Sequence, residues 1–254
     1  MGIRVLLGRE SRNVPLLRRV ETVAALSAEE REALLRVPMS VRDLPPRTDI
    51  LCEGERPETC CVVLSGYAIR YKIGAEGDRH IIAFHVPGDI PDLQSLHLAV
   101  MDHTLASLTG MTAGLIAHRD LHDLNLRYPR LAGALWRLTL VDAAVFREWI
   151  VNLGHRDALS RTAHFLCEMH TRLASVGLGN GDAIELPISQ TDLADALGVS
   201  AVHMNRTLQE LRARKLIESN GRMIMARDWS ALAALGEFDP AYLHITPHER
   251  ADPA

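Results

Sequence analysis

Between Ser189 and Arg222 the chain carries side chains whose types and spacing suit hydrogen bonding to a nucleic acid. Arg206 is the strongest candidate base reader, because a guanidinium can bridge O6 and N7 of a guanine. His203 and Asn205 are further candidates, with phosphate contact or plain solvent exposure as the alternative for each. Val202 cannot accept a hydrogen bond, but its methyl groups can touch a thymine methyl. Ser189, Gln190 and Thr191 fall at the start of a predicted helix, where free amides and the helix dipole favour a phosphate. Ser200 reads as a helix cap that can also reach phosphate. Arg222 suits phosphate or minor-groove contact, with a free surface arginine as the alternative.

These side chains need two helices and a hairpin to hold them. Ser189 caps a short helix with apolar positions Leu193, Ala194 and Leu197. Gly198 permits the left-handed backbone of a tight turn, and Val199 plugs the angle between helices. Ser200 opens a second helix whose buried face is Met204, Leu208 and Leu211. Its opposite face holds His203, Asn205, Arg206, Gln209 and Arg212. Leu216 to Met225 reads as two strands around Ser219-Asn220-Gly221, a wing with Arg222 near its tip. Each part alone is a weak signal, whereas helix, turn, helix and wing in this order form a specific one.

The net charge of −4 argues against a protein that coats nucleic acid indiscriminately. Locally the balance reverses: from Arg206 to Arg227 the chain holds Arg206, Arg212, Arg214, Lys215, Arg222 and Arg227 against only Glu210 and Glu218. The N-terminal apolar run is broken by Arg4, Arg9 and Glu10, so no secretion signal is expected, and Leu6 defeats a myristoylation motif. The apolar stretch from Leu96 to Ala117 is interrupted by Asp102, His103, Gly110 and Gly114, which excludes a membrane span. A cytoplasmic location is the expectation. Cys52, Cys60, Cys61 and Cys167 form no C-x-x-C pair and are expected to be buried, reduced thiols, with a redox switch as the alternative.

Along the chain, residues 15–37 read as two helices broken near Leu26-Ser27, with Ser27 and Glu30 as a capping box. Short β-rich runs separated by Pro/Gly/Asp turns then extend to Ala117, the pattern of a sandwich or jelly-roll barrel. A short helix over 119–128 follows. From Pro129 nothing interrupts a helix until Gly154, and Leu131, Leu135, Leu138, Val141, Val145 and Trp149 line one stripe of it. That stripe is expected to be a dimer seam, with an internal core helix as the alternative. The fold class is therefore α+β. The predicted domains are 1–128 (N-terminal helices and barrel), 129–155 (dimerisation helix), 156–238 (winged helix-turn-helix) and 239–254 (a mobile tail).

Barrel, long helix and winged helix-turn-helix, in that order, resemble the Crp/Fnr family of transcription regulators. The likeness spans about Val37 to Met225. It is most specific in the DNA-binding block, in Leu64-Ser65-Gly66-Tyr67, in the Gly74–Asp78 hairpin and in Phe84-His85-Val86-Pro87-Gly88-Asp89. The resemblance implies a homodimer that recognises an inverted repeat in double-stranded DNA, with RNA polymerase as a further partner if it activates. In the family a glutamate commonly stands four residues before the arginine matched by Arg206. Here that position is Val202, which puts the usual half-site in doubt.

Cyclic-nucleotide-binding members hold phosphate with a Gly-Glu pair and an Arg-Ser pair. The corresponding stretches here read Gly88-Asp89-Ile90-Pro91-Asp92-Leu93-Gln94 and His103-Thr104-Leu105. The anion clamp is missing, so a cyclic nucleotide is not expected. No cysteine precedes Cys52, which argues against the family's N-terminal iron–sulfur cluster. Among the histidines, His80, His85, His97 and His103 are candidates for haem, but none is singled out. No metal or cofactor is therefore expected, and the effector is left open. An enzymatic barrel is disfavoured because its strands contain no H-x-H or H-x-x-x-H motif. The remaining alternative is a constitutive, partner-controlled or thiol-controlled DNA-binding protein with a ligand-free barrel.

Overall fold

In the computed structural model, residues 12–245 are described, except residues 180, 182 and 221. The N-terminal residues read above for a targeting signal, Gly221 of the wing and the tail beyond residue 245 lie outside the described residues. Two helices come first, α1 (Val14–Glu21) and α2 (Ala28–Arg36). Ser27 and Glu30 close the expected capping box, each side chain taking the other's backbone N–H.

The strands β1 (Ser40–Leu44), β2 (Asp49–Leu51), β3 (Thr59–Ser65), β4 (Ala68–Ile73), β5 (Arg79–His85), β6 (Thr104–Ser107) and β7 (Met111–Ala117) follow. They pair into two antiparallel sheets, ordered β1-β7-β3 and β2-β6-β4-β5, that face each other as a jelly roll. Turn glycines make the sharp corners. At Gly88, φ is +98° and an added Cβ would stand 2.5 Å from the Pro15 carbonyl oxygen, so only glycine lets α1 close on the barrel here.

Helix α3 (His118–Arg127) leads into the long helix α4 (Pro129–His155), with Pro129 in its first turn. The C-terminal part, read above as DNA-binding, comprises α5 (Ala158–Ser175), β8 (Ala183–Glu185), α6 (Gln190–Ala196), α7 (Ala201–Ala213), β9 (Ile217–Asn220), β10 (Met223–Ala226) and α8 (Trp229–Leu235). The short strand β8 is an addition to the sequence reading. It pairs with β10, giving the wing a third strand. A single-turn 3-10 helix (Pro240–Leu243) ends the described chain, with Leu243 buried. The predicted mobile tail therefore begins as a packed segment, pinned because the Tyr242 hydroxyl donates to Glu168 at 2.9 Å.

The structure overturns the expected dimer seam. Leu131, Leu135, Leu138 and Val141 are buried in one core with Leu16, Val20, Leu121 and Leu124 of the same chain. Trp149 is buried in another core, 6.3 Å from Phe84 of the barrel and 6.0 Å from Phe165 of α5 between ring centroids, and partly buried Val145 packs against it. The physical reason is that α4 is apolar around most of its circumference. Its bulkiest stripe is consumed by the barrel, α1, α3 and α5. What remains exposed is a different stripe: Trp136, Leu140 and Ile150, respectively 68%, 56% and 71% exposed, with partly buried Ala143 between them.

A continuous core joins barrel to DNA-binding part. Tyr67, Ile81 and Phe84 of the barrel share it with Phe165, Leu193, Leu197 and Met204. Polar ties reinforce it. The Tyr67 hydroxyl donates to the Glu185 carbonyl at 2.6 Å, and Arg172 Nη2 donates to the Phe84 carbonyl at 2.8 Å. Among the described residues no helix is long and apolar enough to cross a membrane.

Candidate nucleic-acid interface and the barrel cavity

Serine caps build the reading head. Ser189 Oγ accepts from the Asp192 amide at 3.0 Å, and Ser200 Oγ accepts from the His203 amide at 3.2 Å, satisfying N–H groups that a helix start leaves free. Between the two helices Gly198 adopts φ +64°, the left-handed conformation the turn requires. Val199 is half-buried against the core, while Met204, Leu208 and Leu211 are buried beneath α7.

The predicted contact residues are accessible to solvent to different degrees. Ser189, Gln190, Thr191, Ser200, Val202, His203, Arg206 and Arg222 are exposed, and Asn205 is half-buried. Asn205 Nδ2 donates to Gln190 Oε1 at 2.9 Å, so this candidate reader is tied to the preceding helix in the free protein. No hydrogen bond or ion pair engages the Arg206 guanidinium among the described residues, leaving all its donors open. Arg212 is turned to the wing instead, donating to Ser219 Oγ at 2.8 Å. Asn220 pairs with Met223 across the β9–β10 turn, which sets Arg222 at the tip.

A second site lies between the barrel and α4, where a partly open cavity of about 260 Å³ is found. Its arginines were missed by the sequence reading because nothing in local spacing marks them. Arg70 Nε donates to the Pro91 carbonyl at 2.6 Å and Nη1 to Asp142 Oδ2 at 2.6 Å. Asp89 is buried between Arg19 and Arg172, each at 2.9 Å. Burial opposes its charge, but the two guanidiniums hold its carboxyl far below the usual carboxylate range. Each guanidinium at this cavity thus already has a carboxylate partner.

The four cysteines divide. Cys60, Cys61 and Cys167 are buried, and burial raises all three thiols. Cys52 is exposed, contrary to expectation, because its strand ends at Leu51 in the turn that follows. Burial, then Glu55 and Asp49, raise its thiol as well, so no activated thiolate emerges. Among the described residues no group of three or more His, Cys, Asp or Glu side chains is placed to hold a metal.

Comparison with known proteins agrees with this architecture. Residues 41–128 match the cyclic nucleotide-binding domain, and residues 160–235 match the Crp-like helix-turn-helix domain. The nitrogen fixation regulation protein FixK of Rhizobium meliloti is 26% identical over 194 residues, covering 74% of this chain and 84% of that protein. The transcriptional activator protein FnrA of Stutzerimonas stutzeri is 21% identical over 211 residues, covering 83% and 86%. The solved structure of FixK2 from Bradyrhizobium japonicum superposes with a TM-score of 0.71 at 26% identity, covering 78% of this chain and 97% of that one.

Proposed function

The chain belongs to the Crp/Fnr family of DNA-binding transcription regulators, and from that premise we propose that it reads an inverted repeat as a homodimer, in a state set by a signal received in its barrel. The observation that carries this reading is the pairing of an open Arg206 on α7 with an unsatisfied apolar stripe on α4. Trp136, Leu140, Ala143 and Ile150 are separated by four, three and seven residues, the a/d spacing of a two-helix seam. Two copies joined there carry two α7 helices related by a twofold axis, and a twofold protein matches a palindromic operator.

In each half-site Arg206 reads a guanine, while His203 and Asn205 contact neighbouring bases. For Asn205 this requires release from Gln190. Val202 packs on a thymine methyl where the family commonly reads with glutamate. Ser189, Gln190, Thr191 and Ser200 meet phosphates, and Arg222 on the wing meets the backbone or minor groove. RNA polymerase is the second partner if the regulator activates, and the site of action is the cytoplasm.

Support for a signal-receiving barrel over a ligand-free one comes from two buried acceptors that line one cavity. His85 Nε2 and His103 Nε2 at its lining are buried with no hydrogen-bond partner among the described residues. A native mass spectrum and absorbance scan of anaerobically purified protein test the assembly, and selection from a random DNA library tests the operator. A dimer that selects an inverted repeat supports the reading. A monomer, or selection of a single unrepeated site, refutes it.

A further inference from the structure

The cavity is walled partly by residues outside both matched domains: Arg19 on α1, Asp142 and Phe146 on α4, and Leu243 and Ile245 from the C-terminal segment. Its polar equipment is unusual. His103 Nδ1 lies 2.7 Å from Asp102 Oδ1, and His85 Nδ1 lies 3.5 Å from Asp89 Oδ2. A carboxylate only accepts, so each Nδ1 carries the proton. Each neutral ring is left with a bare lone pair on Nε2. Burial, and then the charge of Arg70, disfavour protonation of both rings. Both histidines are more than nine-tenths buried, and neither Nε2 has a partner among the described residues. Gln94 Nε2, at the same cavity, is a buried donor equally without a partner.

The chemistry that satisfies this set is narrow. Among the described residues lining the cavity an anion finds no unpaired arginine, because Arg19, Arg70 and Arg172 are each committed to a carboxylate. A cation meets the charge of Arg70, 5.7 Å above the Phe146 ring. A wholly apolar molecule leaves two lone pairs and an amide N–H desolvated without a partner. We infer that the cavity binds a small uncharged organic molecule bearing hydroxyl or N–H donors, which His85 and His103 accept, with its apolar body against Val141, Phe146 and Leu243. This rests on the reading of the barrel as a signal receiver and names the class of molecule received. Because Leu243 belongs to the segment that follows the winged helix, such a ligand touches the barrel, α4 and the end of the DNA-binding part together.

The test uses the full chain and small probes in titration calorimetry: phenol and indole as neutral donors, anisole as phenol without its donor, benzoate and cyclic AMP as anions. The expected result is saturable binding of phenol or indole, with anisole weaker than phenol by about tenfold or more, as for sites that hydrogen-bond a hydroxyl. Benzoate and cyclic AMP are expected to show no saturable binding. His103→Leu should weaken phenol by a similar factor while leaving the unfolding temperature of the free protein unchanged or raised, since an unpaired buried group is removed. Equal binding of phenol and anisole, preference for either anion, failure of both donors to bind, or unchanged phenol affinity in His103→Leu each overturns the inference. Operator binding and native mass, recorded on the same samples, separate that failure from failure of the regulator reading: a dimer that binds DNA but no donor sinks only the ligand class.

Discussion

Arg79, at the start of barrel strand β5, places its Nη2 2.6 Å from Asp192 Oδ1 on the first helix of the reading head. The same guanidinium donates through Nε to Asp195 Oδ2 at 2.9 Å, and Asp195 Oδ1 accepts the Ile81 amide at 3.0 Å. Ser189 completes the arrangement by donating to Asp192 Oδ2 at 2.6 Å. The residues that cap and orient the first recognition element are thus the residues that grip the barrel. A movement of the β4–β5 hairpin reaches the DNA-binding part without an intermediary.

Arg79→Ala is therefore expected to loosen α6. It leaves Asp192 buried with only Ser189 and a distant Arg47 for company, a loss of about 1–3 kcal/mol. Hydrogen exchange should show faster exchange of the 190–197 amides in the variant. Identical exchange in both proteins would mean the apolar core alone holds the two parts together.

The two stripes of α4 make opposite predictions. Trp136→Glu or Ile150→Glu puts charge on the exposed stripe and is expected to give folded monomers by sedimentation, with operator affinity reduced. Leu138→Ala hollows the internal core and should cost about 2–5 kcal/mol in urea unfolding. It should leave the dimer intact wherever the protein is folded. Monomers from Leu138→Ala with full stability would restore the internal stripe as the seam.

Arg206→Ala is expected to cost about 1–3 kcal/mol of binding and to relax preference at one base pair of each half-site. Val202→Glu, which supplies the acceptor common in the family, should shift the preferred base at the neighbouring position. Binding-site selection on both variants reads the two effects. Unaltered sequence logos would remove both residues from the list of base readers.

Asp92 gives the stability a pH signature. Burial pushes its carboxyl up to about 7 from 3.8, although the Cys61 amide donates to it at 2.7 Å. A folded value above the unfolded one means stability is complete below about 4 and declines as pH rises through about 7. His85 works in the opposite direction: its ring is pushed down to about 4 by burial and Arg70, so stability is lost as pH falls from about 6.5 toward 4. Asp92→Asn keeps an acceptor for Cys61 but cannot ionise. It should be more stable than the parent by about 2–4 kcal/mol at pH 8 and nearly equal to it at pH 4. A constant difference across that range would show that Asp92 does not titrate in the folded protein.

Much of this molecule was legible in local pattern. The barrel strands lie between proline- and glycine-marked turns and the last of them ends at Ala117, where the β-rich pattern of the sequence stops, since strand limits are set by backbone punctuation. Ser27, Ser189 and Ser200 announce their helices because a cap is a contact over three residues. The reading head, likewise, is one contiguous stretch whose polar and apolar faces separate at helical spacing.

Decisions between distant segments were not legible. Periodicity shows that α4 is apolar on more than one side, but not which side its own barrel and α1 will claim. Only packing assigned Leu131 and Leu138 to the interior and left Trp136 and Ile150 outside. Strand β8 is three residues long and exists because β10 supplies its hydrogen bonds. The cavity joins Arg70, His85, His103, Asp142, Arg172 and Leu243, which no local window contains together. Sequence determines what depends on neighbours a few bonds away. The tertiary structure decided which apolar faces meet, and therefore which charges are paired and which lone pairs are left waiting.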